Sequence, residues 1–535
     1  MMQICLAQLN YQINDFQSNQ NAIIDVIQQY KKADLIVFSE MALSGYYPQD
    51  AIWTETFFQE QENALQVIKN ATKIEKTAVL IGIVVKQNQY YYSQAVLIDQ
   101  GKCISQVTKK HLNDAPISQE KRHLSSGIGA ESIQWRNHRL LIGLGQDVLL
   151  AQDNQHKPID CAIMLVAKPS IVNQHDQYTA LLQTKSQQLG CPIVQVNQVG
   201  GYDGLVYQGA SSVTKAPYDP IEAKRFQPHC FMVDMAHFPS ANGSDPSSPK
   251  MRFILDQLCC GLTDYLKKNN FKKVVVGCSG GIDSALTLAI ATIALGSENV
   301  IAIAMPSCYS SSESLIDAQQ LCDNLGIDLY THSIDSLYQS ACDEFEKSFN
   351  RKLSQITREN IQARIRGRIV MAFSNNDGAL PLTTGNKSEA AVGYATLYGD
   401  MCGALNCIGD LYKQQVYELS YFINAHYDSI IPQNILDKAP SAELSADQKD
   451  SDTLPDYPEL DALLQWYLDD QVLQQSEKDS LKKTVHNIDP AIHQQVKQLI
   501  AQSEFKRQQA PLTLIVSARP FGVGRQVPLT GKMMF

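Results

Sequence analysis

No stretch of this 535-residue chain reads as a membrane span. Its most membrane-like run, VVVGCSGGIDSALTLAIATIALG, is interrupted by polar residues and by Asp283, and it reads as strand, loop and buried helix. The opening MMQICLAQLNYQI has neither a basic n-region nor a long apolar core, so no signal peptide is expected and the protein is expected to be soluble and cytoplasmic. Positive charge is not in excess: 55 acidic against 45 basic residues give a formal charge of −10. That speaks against a nucleic-acid coat, whose phosphates need clustered Lys and Arg, but leaves room for a local pocket that binds a small anion. Metal-type cysteine pairs are missing as well. Apart from the adjacent Cys259 and Cys260, the 13 cysteines are scattered and show no C-x-x-C spacing. Buried reduced thiols are expected, not disulfides or zinc ligands. There is no internal repeat.

What is there is length and alternation. A chain of 535 residues, 44% hydrophobic and 19% charged, predicts two substantial globular domains. Residues 1–235 alternate helical segments with apolar runs: QICLAQL, ADLIVFSE, AVLIGIVV, YYYSQAVLID, LLIGLG, CAIMLVA and PIVQVNQV. At 236–250 the composition shifts to HFPSANGSDPSSPK, which has no periodicity and reads as a linker. From 251 to 535 a second alternation begins. It runs through KKVVVG, a helix from Asp283 to Leu295, NVIAIAMP, a helix closing near Gly326, IDLYTHSI, and a long helix from about Arg358. Strands alternating with helices predict a parallel sheet covered on both faces.

VVVGCSGGIDSAL, residues 274–286, places a glycine turn between a strand and a helix. Glycines 280 and 281 remove Cβ atoms that would block a close phosphate, and the backbone N–H groups of the turn and helix start then face the anion. Ser279 and Ser284 add hydroxyls, and Asp283 offers a carboxylate to Mg²⁺. The segment lacks G-x-x-x-x-G-K-[ST], so it is not a Walker A loop.

The SGGIDS motif resembles the PP-loop of the ATP pyrophosphatases. MPSCYSSSESLIDAQQLCDNLG, ENIQARIRG, TTGNKSEAAVGYATLYGDMCG, PSAELSADQKDSDTLPDYPELD and EFKRQ follow in order and resemble glutamine-dependent NAD synthetases. The resemblance implies a doubly wound ATP-pyrophosphatase domain. It also implies the chemistry: the nicotinate carboxylate of deamido-NAD attacks the α-phosphate of ATP, pyrophosphate leaves, and ammonia displaces AMP. ATP would meet Gly277, Cys278, Ser279, Gly280, Gly281, Ile282, Asp283 and Ser284, together with Thr384, Lys413 and Ser441. Asn360, Glu389 and Lys506 would meet deamido-NAD, and Asp283 and Glu389 would share Mg²⁺. Singly, these residues fit plainer roles. Asn360 and Arg364 could be one polar helix face, Lys413 a solvated lysine opening an amphipathic helix, and Lys506 a cation favouring a helix end. The ordered set favours function for Asn360, Thr384, Glu389 and Lys506. At least a homodimer through these domains is implied too.

LIVFSEMALSGYYPQD, VTKKHLNDAPISQEKR and NQVGGYDGLVYQGASSV resemble three blocks of nitrilase-like glutaminase domains, which implies an α-β-β-α sandwich. Glu40 takes the general-base position and Lys109 the oxyanion-stabilising one. The nucleophile is absent: relatives read Cys-Glu-Asp where this chain has Gly145-Gln146-Asp147. Glycine cannot form a thioester. Gly204 stands where relatives carry Glu, Gln208 where Asp is typical, and LVAKP (165–169) where LNASP is usual. Cys103, within a hairpin, and Cys161, at the start of a strand, lack the strand-end position of a nucleophile. The expectation is an inactive amidase scaffold joined to an ammonia-using synthetase, its ammonia free or supplied by a separate glutaminase. Competing expectations are the same chemistry on nicotinate mononucleotide, glutamine use through a displaced cysteine, and a non-catalytic scaffold.

Overall fold

The computed structural model describes residues 2–114, 119–152, 158–237, 249–445 and 448–531. The chain divides into two compact units, Met1–Pro249 and Lys250–Phe535. Most of the expected linker lies outside the described residues, and its last residue, Lys250, already opens a helix, so the second unit starts one residue before the expected 251.

The strands of the first unit are β1 (Gln3–Gln8), β2 (Leu35–Val37), β3 (Ala78–Gln87), β4 (Tyr90–Asp99), β5 (Lys102–Thr108), β6 (Glu131–Trp135) and β7 (His138–Leu144). They continue with β8 (Cys161–Val166), β9 (Ile193–Asn197), β10 (Val199–Tyr202), β11 (Leu205–Gln208), β12 (Ser212–Thr214), β13 (Ile221–Glu222) and β14 (His229–Asp234). One sheet has the order β14-β1-β2-β3-β4-β5, a second β13-β12-β9-β8-β7-β6, and β10 and β11 form a ribbon. The period-2 alternation of the strands sorts side chains between layers. Leu6, Val37, Leu80 and Leu97 of one sheet meet Leu140, Ile142, Leu165 and Val194 of the other. Their neighbours Cys5, Ile36 and Val79 turn the other way, beneath helices α1 (Phe16–Gln29) and α2 (Glu55–Glu75). On the far face, Leu141, Ala162, Met164 and Val166 pack beneath α3 (Asp147–Leu150) and α4 (His175–Leu189). The result is an α-β-β-α sandwich.

ADLIVFSE forms only the three-residue β2, because beyond Val37 the chain passes over Gly82, where a Cβ would lie 2.4 Å from Met41 N. That crossing carries Glu40 to the strand ends.

The second unit has a six-stranded sheet whose recorded pairings are all parallel. Its strands are β15 (Lys273–Gly277), β16 (Val300–Ala304), β17 (Leu329–Thr331), β18 (Ala379–Thr383), β19 (Leu405–Asn406) and β20 (Leu512–Thr513), in the order β17-β16-β15-β18-β19-β20. Helices α5 (Lys250–Lys268) and α6 (Ile282–Leu295) pack together, and α7 (Ser312–Leu325) leads from β16 to β17. Helices α8 (Asp335–Phe349) and α9 (Gln355–Asp377) cover Val275 and Ile303. Two shorter helices matter below: α10 (Lys387–Val392) and α11 (Lys413–His426). From β15 the chain winds outward through β16 and β17, then returns to β18 on the other side. The end of β15 is therefore a topological switch point, where open α/β sheets leave a crevice for ligands. Among the described residues no helix is long and apolar enough to cross a membrane.

Candidate active site

The SGGIDS turn lies at that switch point. Gly280 adopts φ +77°, and a Cβ on it would meet the Ser314 carbonyl oxygen at 2.2 Å. Two backbones thus meet at Gly280, so its glycine is required by the fold itself as well as by any anion. Gly281 is the N-cap of α6 without a capping side chain. Ser279 Oγ accepts from Gly281 N–H (3.2 Å) and bonds Ser284 Oγ (3.1 Å), holding the turn open around its own hydroxyls. Cys278 and Ile282 are buried, and the Cys278 thiol bonds Cys322 of α7, so these two residues could meet a ligand only through backbone. Gly277 ends β15.

Three charged groups converge beside the turn. Lys413 Nζ lies 2.5 Å from Asp283 Oδ2 and 3.3 Å from Glu389 Oε1. Asn386 N-caps α10 and donates through Nδ2 to Asp283 Oδ1 at 2.9 Å. Lys413 is buried at 1% exposure, so the plainer reading of a solvated lysine does not hold. Burial works to lower its pKa, but the charges of Asp283 and Glu389 outweigh that and raise it. Burial, reinforced by Asp283 and opposed by Lys413, pushes the Glu389 carboxyl up to about 8. The Tyr457 ring lies 4.9 Å from the ammonium and its hydroxyl donates to Asp450 at 2.8 Å. Among the described residues, no group of three or more His, Cys, Asp or Glu converges as a metal site. The pair Asp283 and Glu389 nevertheless fits Mg²⁺, a hard cation commonly held by one or two carboxylates plus substrate phosphates. Thr384 is half-buried just past the end of β18. Ser441 lies apart from this cluster in hydrogen bonding, its hydroxyl donating to Gln448 O at 2.5 Å and accepting from Glu443 N–H.

A second group surrounds the turn after α10. Asn360 Oδ1 accepts from Thr396 Oγ1 at 2.8 Å, and Arg364 Nε donates to Leu397 O at 3.2 Å. Lys506 Nζ donates to Gly393 O and Ala395 O, each at 2.7 Å, and burial lowers its pKa despite nearby Asp400. Asp400, buried and raised in pKa by that burial, accepts from Thr396 N–H at 2.6 Å. Asn360 and Lys506 are thus brought to one loop, 393–400, while Glu389 belongs with Asp283 and Lys413. Asn386, Thr396 and Asp400 were not singled out by sequence reasoning, although all three lie inside the quoted TTGNKSEAAVGYATLYGDMCG block.

In the first unit, Glu40 and Lys109 form a buried ion pair with a third member. Lys109 Nζ sits 2.9 and 3.0 Å from the Glu40 oxygens and 2.7 Å from Glu120 Oε1. Glu120 stands in the quoted VTKKHLNDAPISQEKR block, where only Lys109 drew attention. It is also held by Tyr46 OH (2.8 Å) and Asn113 N–H (2.6 Å). Burial pushes the Glu40 carboxyl up to about 7 against the pull of Lys109, while the two carboxylates outweigh burial and raise Lys109. Gly145 turns at φ +55° directly after β7. A Cβ there would sit 2.7 Å from Lys109 Cε and 3.0 Å from its Nζ. The lysine therefore occupies the room a side chain at 145 would need. Cys161 is fully buried, which raises its thiol pKa, and Cys103 is exposed on β5. The substituted wall residue Lys168 lies with Nζ 3.3 Å from the Tyr178 ring centroid, and burial lowers its pKa to about 7.

This architecture joins a nitrilase-like carbon–nitrogen hydrolase scaffold to a PP-loop domain. The carbon-nitrogen hydrolase family model matches residues 3–218 and the NAD synthase model residues 254–510. Glutamine-dependent NAD(+) synthetases of Aquifex aeolicus and Thermotoga maritima are each 33% identical, covering 99% of this chain and 100% and 99% of theirs. The solved glutamine-dependent NAD⁺ synthetase of Acinetobacter baumannii, in complex with ADP, superposes with a TM-score of 0.77 at 29% identity, over 99% of this chain and 98% of that one. The chain belongs to the glutamine-dependent NAD(+) synthetase family and is an NAD synthetase, a ligase that forms a carbon–nitrogen bond.

Proposed function

We propose that this enzyme amidates deamido-NAD to NAD with ATP and takes its nitrogen from free ammonia, not from glutamine hydrolysed in its own first unit. The nicotinate carboxylate attacks the α-phosphorus of ATP, the bond to the β-phosphate oxygen breaks, and pyrophosphate leaves. Ammonia then adds to the acyl carbon, loses a proton and expels AMP. The PP-loop amides and the start of α6 receive the pyrophosphate, while Lys413 opposes its charge. Asp283 and Glu389 would hold Mg²⁺, which neutralises the phosphates when bound. Asn360, Lys506 and the 393–400 loop receive deamido-NAD, Thr384 and Ser441 ATP.

The observation that carries the choice of nitrogen source is the packing at Gly145. Thioester chemistry needs a sulfur at the amide carbon. Position 145 has no side chain, and Lys109 fills the space beside it. The test is NAD formation from deamido-NAD and ATP with ammonium or with glutamine as nitrogen source, each under ammonia-free control. Ammonium supports synthesis and glutamine does not. Stoichiometric glutamate release coupled to NAD formation, or labelling of Cys103 or Cys161 by a thiol-directed glutamine analogue, would overturn the reading. Running nicotinate mononucleotide in parallel separates the two acid substrates.

A further inference from the structure

The segment carrying Ser441 is fastened by a residue outside the catalytic cluster. Glu443 Oε1 accepts from Ser311 Oγ at 2.9 Å and from Ser314 Oγ at 2.7 Å. Lys438 Nζ lies 3.6 Å from the same oxygen and donates to Ser314 Oγ. Ser311 is the N-cap of α7, so the carboxylate sits where the unpaired N–H groups of a 14-residue helix favour negative charge. Ser314 belongs to the backbone against which Gly280 is packed. The fastening point is therefore the wall of the PP-loop. Along the segment, Glu443 N–H donates to Ser441 Oγ (3.1 Å), and Leu444 O accepts from Gln362 Nε2 of α9 (2.8 Å). Glu443 itself adopts φ +48°, a left-handed conformation that a glutamate holds only where its surroundings determine it.

From this we infer that Glu443 is a positioning residue for ATP: its carboxylate latches the Lys438–Leu444 strap to the N-terminus of α7 and so holds the strap against the wall of the PP-loop. The inference rests on the proposal that the PP-loop receives ATP. A carboxylate that merely capped α7 would affect stability alone, whereas a latch acts selectively on ATP. Charge-assisted hydrogen bonds of this kind set the scale.

The test is calorimetric titration of the full-length enzyme with ATP alone, alongside steady-state kinetics, for wild type, Glu443→Ala, Glu443→Gln, Ser314→Ala and the Glu443→Ala/Ser314→Ala double variant. Glu443→Ala weakens ATP binding about tenfold or more and raises KM for ATP, while KM for deamido-NAD stays at its wild-type value. Glu443→Gln, which still accepts hydrogen bonds, lies between. The double variant loses less than the sum of the two single variants, because they share the Ser314–Glu443 contact while Ser314 also receives Lys438. Unchanged ATP binding in Glu443→Ala, additive losses in the double variant, or equal losses for both substrates would each overturn the latch. Direct titration separates this from the functional proposal: wild-type enzyme that binds ATP yet forms no NAD defeats that proposal and leaves the latch to be judged on binding.

Discussion

At residue 145 a hydrogen atom stands where a side chain would be, and Lys109 has taken the room. Because Lys109 is pinned between Glu40 and Glu120, it cannot swing aside cheaply. We expect Gly145→Cys to destabilise the first unit, by about 1–3 kcal/mol as for other overpacked sites, and to release no glutamate from glutamine. A thermal melt together with a glutamate assay checks both parts, and glutamate turnover in this single variant would count against the packing argument. Lys168 gives the pH-dependent prediction. Its amine has pKa about 7 in the folded protein against an ordinary 10.5, so between those values the unfolded chain holds more protons and stability climbs with pH. Below about 7 the cost of burying the amine is present in full. Lys168→Met therefore raises Tm more at pH 7 than at pH 10.5. Equal gains at both pH values would show that Lys168 is charged without penalty where it lies.

Among the elements, the turn between β15 and α6 is the most constrained. Gly280→Ala places a Cβ at φ +77° within 2.2 Å of a backbone oxygen. The expected outcome is loss of NAD synthesis with a lowered Tm, since α7 must move. Asp283→Asn separates chemistry from folding: it keeps the side chain's shape and removes one charge of the Lys413 cluster. NAD synthesis falls on the order of a hundredfold or more in a protein that still folds, its Tm lowered by the loss of one counter-charge from buried Lys413. Near-wild-type turnover at saturating Mg²⁺ would remove Asp283 from the site. Elements were legible in the sequence where periodicity was strong. VVVG, VIAIA and CAIMLV stand as strands, and the helix expected from Asp283 to Leu295 runs from Ile282. Short strands such as β12, β13 and β19 were not, because two or three residues carry no period. Hydrogen-bond partners escaped for a different reason. Asn360 meets Thr396 and Asn386 meets Asp283 across long sequence separations, which no local pattern encodes. The burial of Lys413 was hidden likewise: the two carboxylates that stabilise its charge come from α6 and α10.

For the whole molecule, each unit has its own core, and the family resemblance implies pairing through the second. That unit carries a groove of about 430 Å³ walled by Phe271, Met371, Leu380, Leu397 and Tyr398, with Tyr398 68% exposed. An apolar face of that kind is one a second copy could cover. Sedimentation at micromolar concentration should show at least a homodimer. A fully active monomer would contradict it. That position 145 carries no nucleophilic side chain was readable from the sequence alone, since it is a property of one position. How the space left by it is filled was not readable, because that depends on Lys109, 36 positions earlier, and on Glu120.

The filled space at Gly145 also bears on reversibility. A thiol at 145 presses on Lys109, whose ammonium is the counter-charge of the buried Glu40 and Glu120 carboxylates, so any shift that makes room strains those pairs. Replacing either carboxylate first would take from Lys109 one of its two buried partners. On the proposed reading, each of these single changes begins downhill in stability with no activity gained in return. On that reading the packing works as a ratchet, making the absence of a side chain at 145 easier to keep than to undo.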